Sequence, residues 1–445
     1  MGMNQSPASG HGRVVAIDIL RGFAICWVIL FHLWGDLVIF PPAPYEYYQR
    51  LTWHVKHAQP VLHTFTAFTD LFFRDGYQGV PLFMMISGLS LTVSAYRAGS
   101  SRGWGSFFAQ RFRKLMIPYW AGVAIGYAAI AAIAWRQVAI GGGSFPAHFG
   151  GGVTISLASR VDVDRGMVFA SVALLPRLLH AQWFFAPQLA LWFVGLIAQY
   201  YLLFPLLLFA MRRIGIVPFL LVTFAITVGS NWWIVHLYRA PEVQFQLVTG
   251  WAPFRLFEFT SGMAIGWLLA APEGQRALRA LRQPYVIVAL LAGGLLVHTV
   301  GDLMVGRLEA GYWQSTALPL ATLGLAMLAL PLLLKPPSRI DVSLPVRLMT
   351  AVGIMSYAVL IINDPMRLIA SQMRVEDVSD VIWWTFLVGV YVPVTMLLAW
   401  PLTHLLGLWP KPPVRRQAPE RRAEPGSSQS PVHSSPSVGS AAFGD

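Results

Sequence analysis

Ten runs of about 20 mostly apolar residues recur along this chain, at roughly 14–40, 78–96, 117–140, 187–211, 216–238, 254–271, 284–301, 313–334, 348–371 and 382–408. Each has the length at which an α-helix crosses a hydrocarbon core. Inside a bilayer every backbone N–H and C=O has to be satisfied within the protein, so a chain of such runs folds as a helix bundle. The expected fold is therefore an all-α integral membrane protein with about ten transmembrane helices. Charged residues make up only 12% of the chain and its mean hydropathy is +0.57, which excludes an ordinary soluble domain. The segment 167–185 is a weaker candidate. Pro176, Arg177 and His180 interrupt it, and it reads as a re-entrant or interfacial piece.

A net charge of +12 suggests nucleic acid in a soluble protein, but here it has a topological cause. With the N-terminus in the cytoplasm, the inner loops are Arg97 to Lys114, Arg212 with Arg213, Arg276 to Arg282 and Lys335 to Arg347, and the tail carries Lys411 to Arg422. These are short and basic, as cytoplasmic loops are, whereas the intervening loops mix signs. Both termini are then expected in the cytoplasm, and no nucleic-acid partner is expected. Residues 1–13 form a cytoplasmic N-terminus and 14–408 a membrane domain. Residues 409–445, rich in Pro, Ser, Ala and Arg, form a disordered tail with too little apolar surface to offset ordering. The first span has no small-residue cleavage site after a short apolar run and reads as retained. The single cysteine, Cys26, allows no intrachain disulfide. GGGSFPAHFGGG at 141–152 reads as a mobile loop. Trp232, Trp233, Trp383 and Trp384 are placed to form an aromatic belt.

The first span is unusual in what it carries. DILRGFAICWVILFHLW, residues 18–34, holds Asp18, Arg21 and His32. Eleven positions make just over three helical turns, so Arg21 and His32 share one face about 16 Å apart along the axis. Asp18 lies three residues before Arg21 and Asp36 four after His32, so each can reach its neighbour on that face. Ionisable groups in a membrane helix face a cavity or a partner. In the plainer reading Arg21 snorkels to the interface and His32 makes an interhelical hydrogen bond. In the functional reading the pair holds a molecule of matching length. Coenzyme A, with anionic phosphates at one end and a thioester on a long arm at the other, fits in kind. Histidine then serves as general base toward a hydroxyl or carries the acyl group itself.

Six stretches, in order, resemble the membrane-bound acyltransferase-3 family. They are IDILRGFAICWVILFH with its Arg-x10-His spacing, GYQGVPLFMMISGLSL at 76–91, FFAQRFRKLMIPYW at 107–120, LWFVGLIAQYYLLFPLL at 191–207, RLFEFTSGMAIG at 255–266 and SYAVLIINDP at 356–365. The resemblance implies an enzyme of a bacterial cytoplasmic membrane that moves an acyl group, commonly acetyl, from cytoplasmic acyl-CoA to a hydroxyl of an extracytoplasmic glycan or related cell-envelope acceptor. It implies catalytic roles for His32 and Arg21, with Asp18 beside them. It implies donor binding by Arg21, Arg111, Arg113 and Lys114, and acceptor-side roles for Asp36, Trp192, Gln199, Arg255 and Glu258. Two plainer alternatives stand beside these: basic residues that only mark the cytoplasmic side, and an Arg255–Glu258 pair that is only structural.

Some positions depart from the family pattern. Gly195, Leu196, Ile197 and Ala198 stand where many members carry Ser-Val-Glu-Glu, and Asn363 with Asp364 stands in a span that often carries histidine. No esterase-like domain is expected after the last span. His54, His57 and His63 do not make a metal motif with any Cys cluster or H-E-x-x-H, so no metal is expected. GSSRG at 99–103 matches G-x-S-x-G only formally, since that motif needs a strand-to-helix elbow. The competing class is a transporter of a glycan, lipid or small solute, in which the buried Arg and His line a substrate or proton path.

Overall fold

The computed structural model describes residues 15–36, 72–73, 75–98, 103–150, 153–156, 159–161, 163, 165–174, 187–237, 247–305, 314–334, 343–373 and 380–409. In chain order these form α1 (Val15–Asp36), a 3-10 turn (Asp75–Gln78) leading into α2 (Gly79–Ala98), α3 (Trp104–Gly141) and α4 (Phe145–Gly150). A hairpin of β1 (Val153–Ser156) and β2 (Ser159–Val161) follows, then α5 (Arg165–Ala173), α6 (Trp192–Ile214), α7 (Ile216–Leu237), α8 (Leu256–Ala270) and α9 (Pro272–Leu281). The chain continues through α10 (Pro284–Val305), α11 (Gln314–Leu334), α12 (Leu344–Ser371), α13 (Asp380–Phe386), a π turn (Leu387–Tyr391) and α14 (Val392–Leu405).

Every one of the ten apolar runs falls on a helix. Eight helices among the described residues are long and apolar enough to cross a membrane, and Leu318–Leu334 is a shorter apolar one. The tenth run is α8, 15 residues long with Glu258 in its first turn. The protein is thus an all-α, multi-span membrane protein, apart from the small hairpin that pairs Val153 with Val161 across a bulge. The arrangement of α6 shows why an apolar surface is tolerated. Tyr200, Phe204 and Leu208 are buried on one face, while Leu202 and Leu206 on the other are 69% and 63% exposed, a surface suited to lipid rather than water.

Helices approach closely where glycine removes the side chain, as in membrane bundles generally. A Cβ on Gly353 of α12 would overlap the Asp18 carbonyl of α1, and one on Gly22 of α1 would overlap the Met349 carbonyl of α12. α2 and α8 interlock in the same way, through Gly88 on Phe259 and Gly262 on Met85. The core therefore centres on α1, α2, α8 and α12. Ile25, Ile29 and Leu33 of α1 pack with Ala358, Val359 and Ile362 of α12. Met84 and Leu91 of α2 pack with Tyr200 and Phe204 of α6 and Phe259 of α8.

Several sequence expectations are revised. Within 141–152, Phe145–Gly150 is helical and Phe145 lies against Trp135 at 4.9 Å, because aromatic contacts order part of the glycine-rich run. Trp383 is buried against Phe386 rather than in an aromatic belt, while Trp232 and Trp233 are about half exposed (45% and 48%). α9, in a predicted basic inner loop, is amphipathic, with Gly274 and Leu278 buried, as a helix along a membrane surface would be. Residues 1–13, most of 41–77, 175–180 and the tail from 410 lie outside the described residues, as do His54, His57 and His63.

Candidate functional site

α1 carries its polar residues inward on the stripe that the spacing sets. Asp18 is 2% exposed, and its Oδ1 lies 3.7 Å from Arg21 Nη1. Arg21 Nη2 donates to Ser90 Oγ of α2 at 3.4 Å. A third of the Arg21 side chain is exposed (34%). Three turns along, His32 Nδ1 lies 3.0 Å from the Asn363 side-chain amide of α12. Tyr391, at the end of the π turn, places its hydroxyl 2.7 Å from the Asn363 side-chain oxygen and 3.1 Å from the Asn363 backbone oxygen. Both Asn363 and Tyr391 are buried. The side chain of Asp36 lies outside the described residues.

A second group forms at the start of α6 and α8. Arg255 donates from Nε to both Glu258 oxygens at 3.1 Å and from Nη2 to Oε1 at 2.9 Å. This two-pronged contact is the geometry a guanidinium fork makes with a carboxylate. The Arg255 guanidinium also lies 5.6 Å from the Trp192 ring centroid. Gln199 is engaged with backbone at both ends of its amide, donating to Gly250 O at 2.7 Å and accepting from Ala252 N at 3.1 Å. It fixes the turn from which Arg255 projects.

The basic run on α3 divides. Arg113 and Lys114 are exposed, whereas Arg111 is half-buried with its guanidinium 5.6 Å from the Phe107 ring and 6.0 Å from the Tyr201 ring. Arg111 Nε is buried with no hydrogen-bond partner among the described residues. Tyr119 is fully buried, its hydroxyl donating to the Ser171 carbonyl, and Trp120 donates to the Val172 carbonyl at 3.1 Å. These two side chains hold α5.

Four features gain contacts that the sequence reading did not assign. Ser90 completes the Arg21 contact. Asn363 and Tyr391 hold His32. Asp364 Oδ1 receives Arg367 Nη1 at 2.8 Å, with both side chains buried; an Asp and an Arg three apart inside an apolar run were open to the same reasoning as Asp18 and Arg21. Gln78 is fully buried, and among the described residues neither its amide nitrogen nor its oxygen has a hydrogen-bond partner. It ends the turn whose Gly76 and the next residue, Gly79, sit against the α1 backbone at Trp27 and Ala24, one to two turns before His32. Each such group left unsatisfied costs about 1–3 kcal/mol.

The arrangement offers a part-exposed arginine and an imidazole about 16 Å farther along the same helix face. The sequence matches the family model described as an acyltransferase domain over residues 14–404. No curated protein and no solved structure matches the chain.

Proposed function

The chain belongs to the acyltransferase family whose model spans it from residue 14 to residue 404, and on that premise we propose that it moves an acyl group, acetyl in the first instance, from acyl-CoA to a hydroxyl of a cell-envelope glycan. The setting is a bacterial cytoplasmic membrane, with both chain termini and the Arg21 end of α1 in the cytoplasm. Residues 14–408 act as the transferase domain. The observation that carries the proposal is the α1 stripe: Arg21 reaching Asp18 and Ser90 at one end, and His32 held through Nδ1 at the other.

In this reading Arg21 takes a phosphate of the donor, assisted by Arg111, Arg113 and Lys114 at the mouth. A guanidinium suits that role because its planar fork matches phosphate oxygens. The thioester then reaches His32. Nε2 accepts the proton of the acceptor hydroxyl as its oxygen attacks the thioester carbonyl. The tetrahedral adduct expels the coenzyme A thiolate, which takes the proton back from the imidazolium, leaving an ester, free thiol and neutral histidine. In the other order, Nε2 attacks the thioester first, and the acceptor oxygen displaces the imidazole from the acylated intermediate while its proton passes to the thiolate. The Arg255, Glu258 and Trp192 group, with Asp36, belongs to the acceptor side.

The test is transfer of radiolabelled acetyl from acetyl-CoA into cell-envelope fractions by membranes carrying the wild type, the His32→Ala variant or neither. Label in one fraction only with His32 intact supports the proposal and points to the acceptor. Equal labelling by the His32→Ala membranes removes the catalytic role, and glycan binding without coenzyme A binding or transfer moves the reading to transport.

A further inference from the structure

The contacts around His32 contain an imbalance that bears on its protonation. The Tyr391 hydroxyl has one hydrogen, yet it lies within reach of two Asn363 oxygens, at 2.7 and 3.1 Å. With the Asn363 nitrogen turned toward His32, as at 3.0 Å, both of those oxygens compete for the phenol hydrogen and one faces a phenol lone pair. The amide then donates to Nδ1, which forces the ring proton onto Nε2.

A half-turn of the amide about χ2 exchanges its oxygen and nitrogen at the same positions. The Tyr391 hydroxyl now donates to the Asn363 backbone oxygen and accepts from the Asn363 Nδ2. Nδ1–H of His32 donates to the Asn363 Oδ1. The phenol hydrogen then has a single acceptor and the Nδ1 hydrogen meets an oxygen, as groups this buried require. Among the described residues no group is hydrogen-bonded to Nε2.

We propose that Asn363 and Tyr391 are positioning residues that hold His32 with Nδ1 protonated and the Nε2 lone pair directed to substrate. The inference rests on the acyl-transfer reading for its purpose but not for its geometry. A bare Nε2 is what either order of reaction needs, since it has to take a proton or attack a carbonyl carbon. The second ring nitrogen is fixed by the bond the first one makes. The π turn has a part in this. Leu387–Tyr391 carries one extra residue per turn, which rotates the helix beyond it, and Tyr391 is the residue at which the rotation is complete. Such turns recur at functional sites.

The experiment uses the full chain in bilayers with 15N-labelled histidine. His32 is assigned by the difference from a His32→Gln spectrum, needed because the chain has 11 histidines. The expected wild-type spectrum at neutral pH shows a protonated Nδ1 and an unprotonated Nε2. Asn363→Asp, which can only accept, keeps that spectrum and transfers within about tenfold of the wild type. Asn363→Leu, of similar size, loses about 10²- to 10⁴-fold in kcat with KM for acyl-CoA little changed, the range for loss of a group that orients a catalytic histidine. Tyr391→Phe falls between them. A protonated Nε2 in the wild type overturns the assignment, as does an Asn363→Asp protein that is folded and as inactive as Asn363→Leu. A protonated Nδ1 in a wild type that transfers no acyl group would uphold the tautomer and refute the acyl-transfer reading instead.

Discussion

Replacing Gly353 by alanine tests whether the site depends on how closely two helices approach. A Cβ at Gly353 would fall within the Asp18 carbonyl oxygen and close to Gly22 N, at 3.0 Å. Asp18 belongs to the helix that carries Arg21 and His32, and Gly353 to the helix that carries Asn363. Relief requires α1 and α12 to separate by about 1 Å or more, since packed cores have little free space to absorb a methyl group. Overpacking of this kind costs about 1–3 kcal/mol. The same displacement stretches the 3.0 Å contact between His32 and Asn363 beyond hydrogen-bonding length, and a misplacement of about 1 Å at a reacting group costs about 10²-fold in rate. Gly353→Ala should therefore lower both the unfolding temperature and acetyl transfer in reconstituted membranes. Gly229→Ala is the control, because nothing lies within 4 Å of a Cβ there and alanine in a helix is favourable by about 0.4–1 kcal/mol. Wild-type melting and wild-type transfer in Gly353→Ala would refute the reasoning. A fall in melting alone would separate the packing from the chemistry.

Glu258→Gln removes the charge partner of a partly buried guanidinium and should destabilise the protein by up to about 3 kcal/mol, with Arg255→Leu added to Glu258→Gln recovering much of the loss; thermal unfolding of the wild type and the two variants is the check. Arg21→Lys keeps the charge but gives up the reach to both Asp18 and Ser90, and should weaken acyl-CoA binding measured by calorimetry, so an unchanged affinity would count against Arg21 as a donor contact. Gln78→Met removes two unsatisfied groups from the interior and should raise the unfolding temperature while lowering transfer, a stability gain with a functional cost; a gain in stability with full transfer would show that no substrate group uses the amide.

The sequence made legible whatever is repeated within one segment. The ten apolar runs all fell on helical segments because length and hydrophobicity decide that outcome locally. The α1 stripe was readable because Asp18, Arg21 and His32 stand out against apolar neighbours at helical spacing. What was not readable depends on remote contacts. His32 meets a residue 331 positions away, and that residue meets Tyr391 another 28 along; no periodicity joins them. Gln199 falls in a span whose motif invites a substrate role, but only the fold reveals that its amide clamps Gly250 and Ala252. Trp383 shows the limit of composition: a tryptophan near a helix end suits an interface, and here it is buried and stacked on Phe386.

Among the described residues, the ion pairs Asp18 with Arg21, Arg255 with Glu258 and Asp364 with Arg367 each link residues three apart, within one helix or, for Arg255, from the turn that leads into it. Each pair can therefore form as soon as its own turn is wound, before any other helix is present. A charged side chain at the centre of a helix entering a bilayer costs about 2.5–3.5 kcal/mol, and a partner within the same turn lowers that cost at the moment of insertion. During biogenesis the segments need not wait for one another to be neutralised. They can be handed to the lipid one at a time in the order of synthesis, and the glycine contacts and hydrogen bonds that build the site can form afterward, between helices already in place.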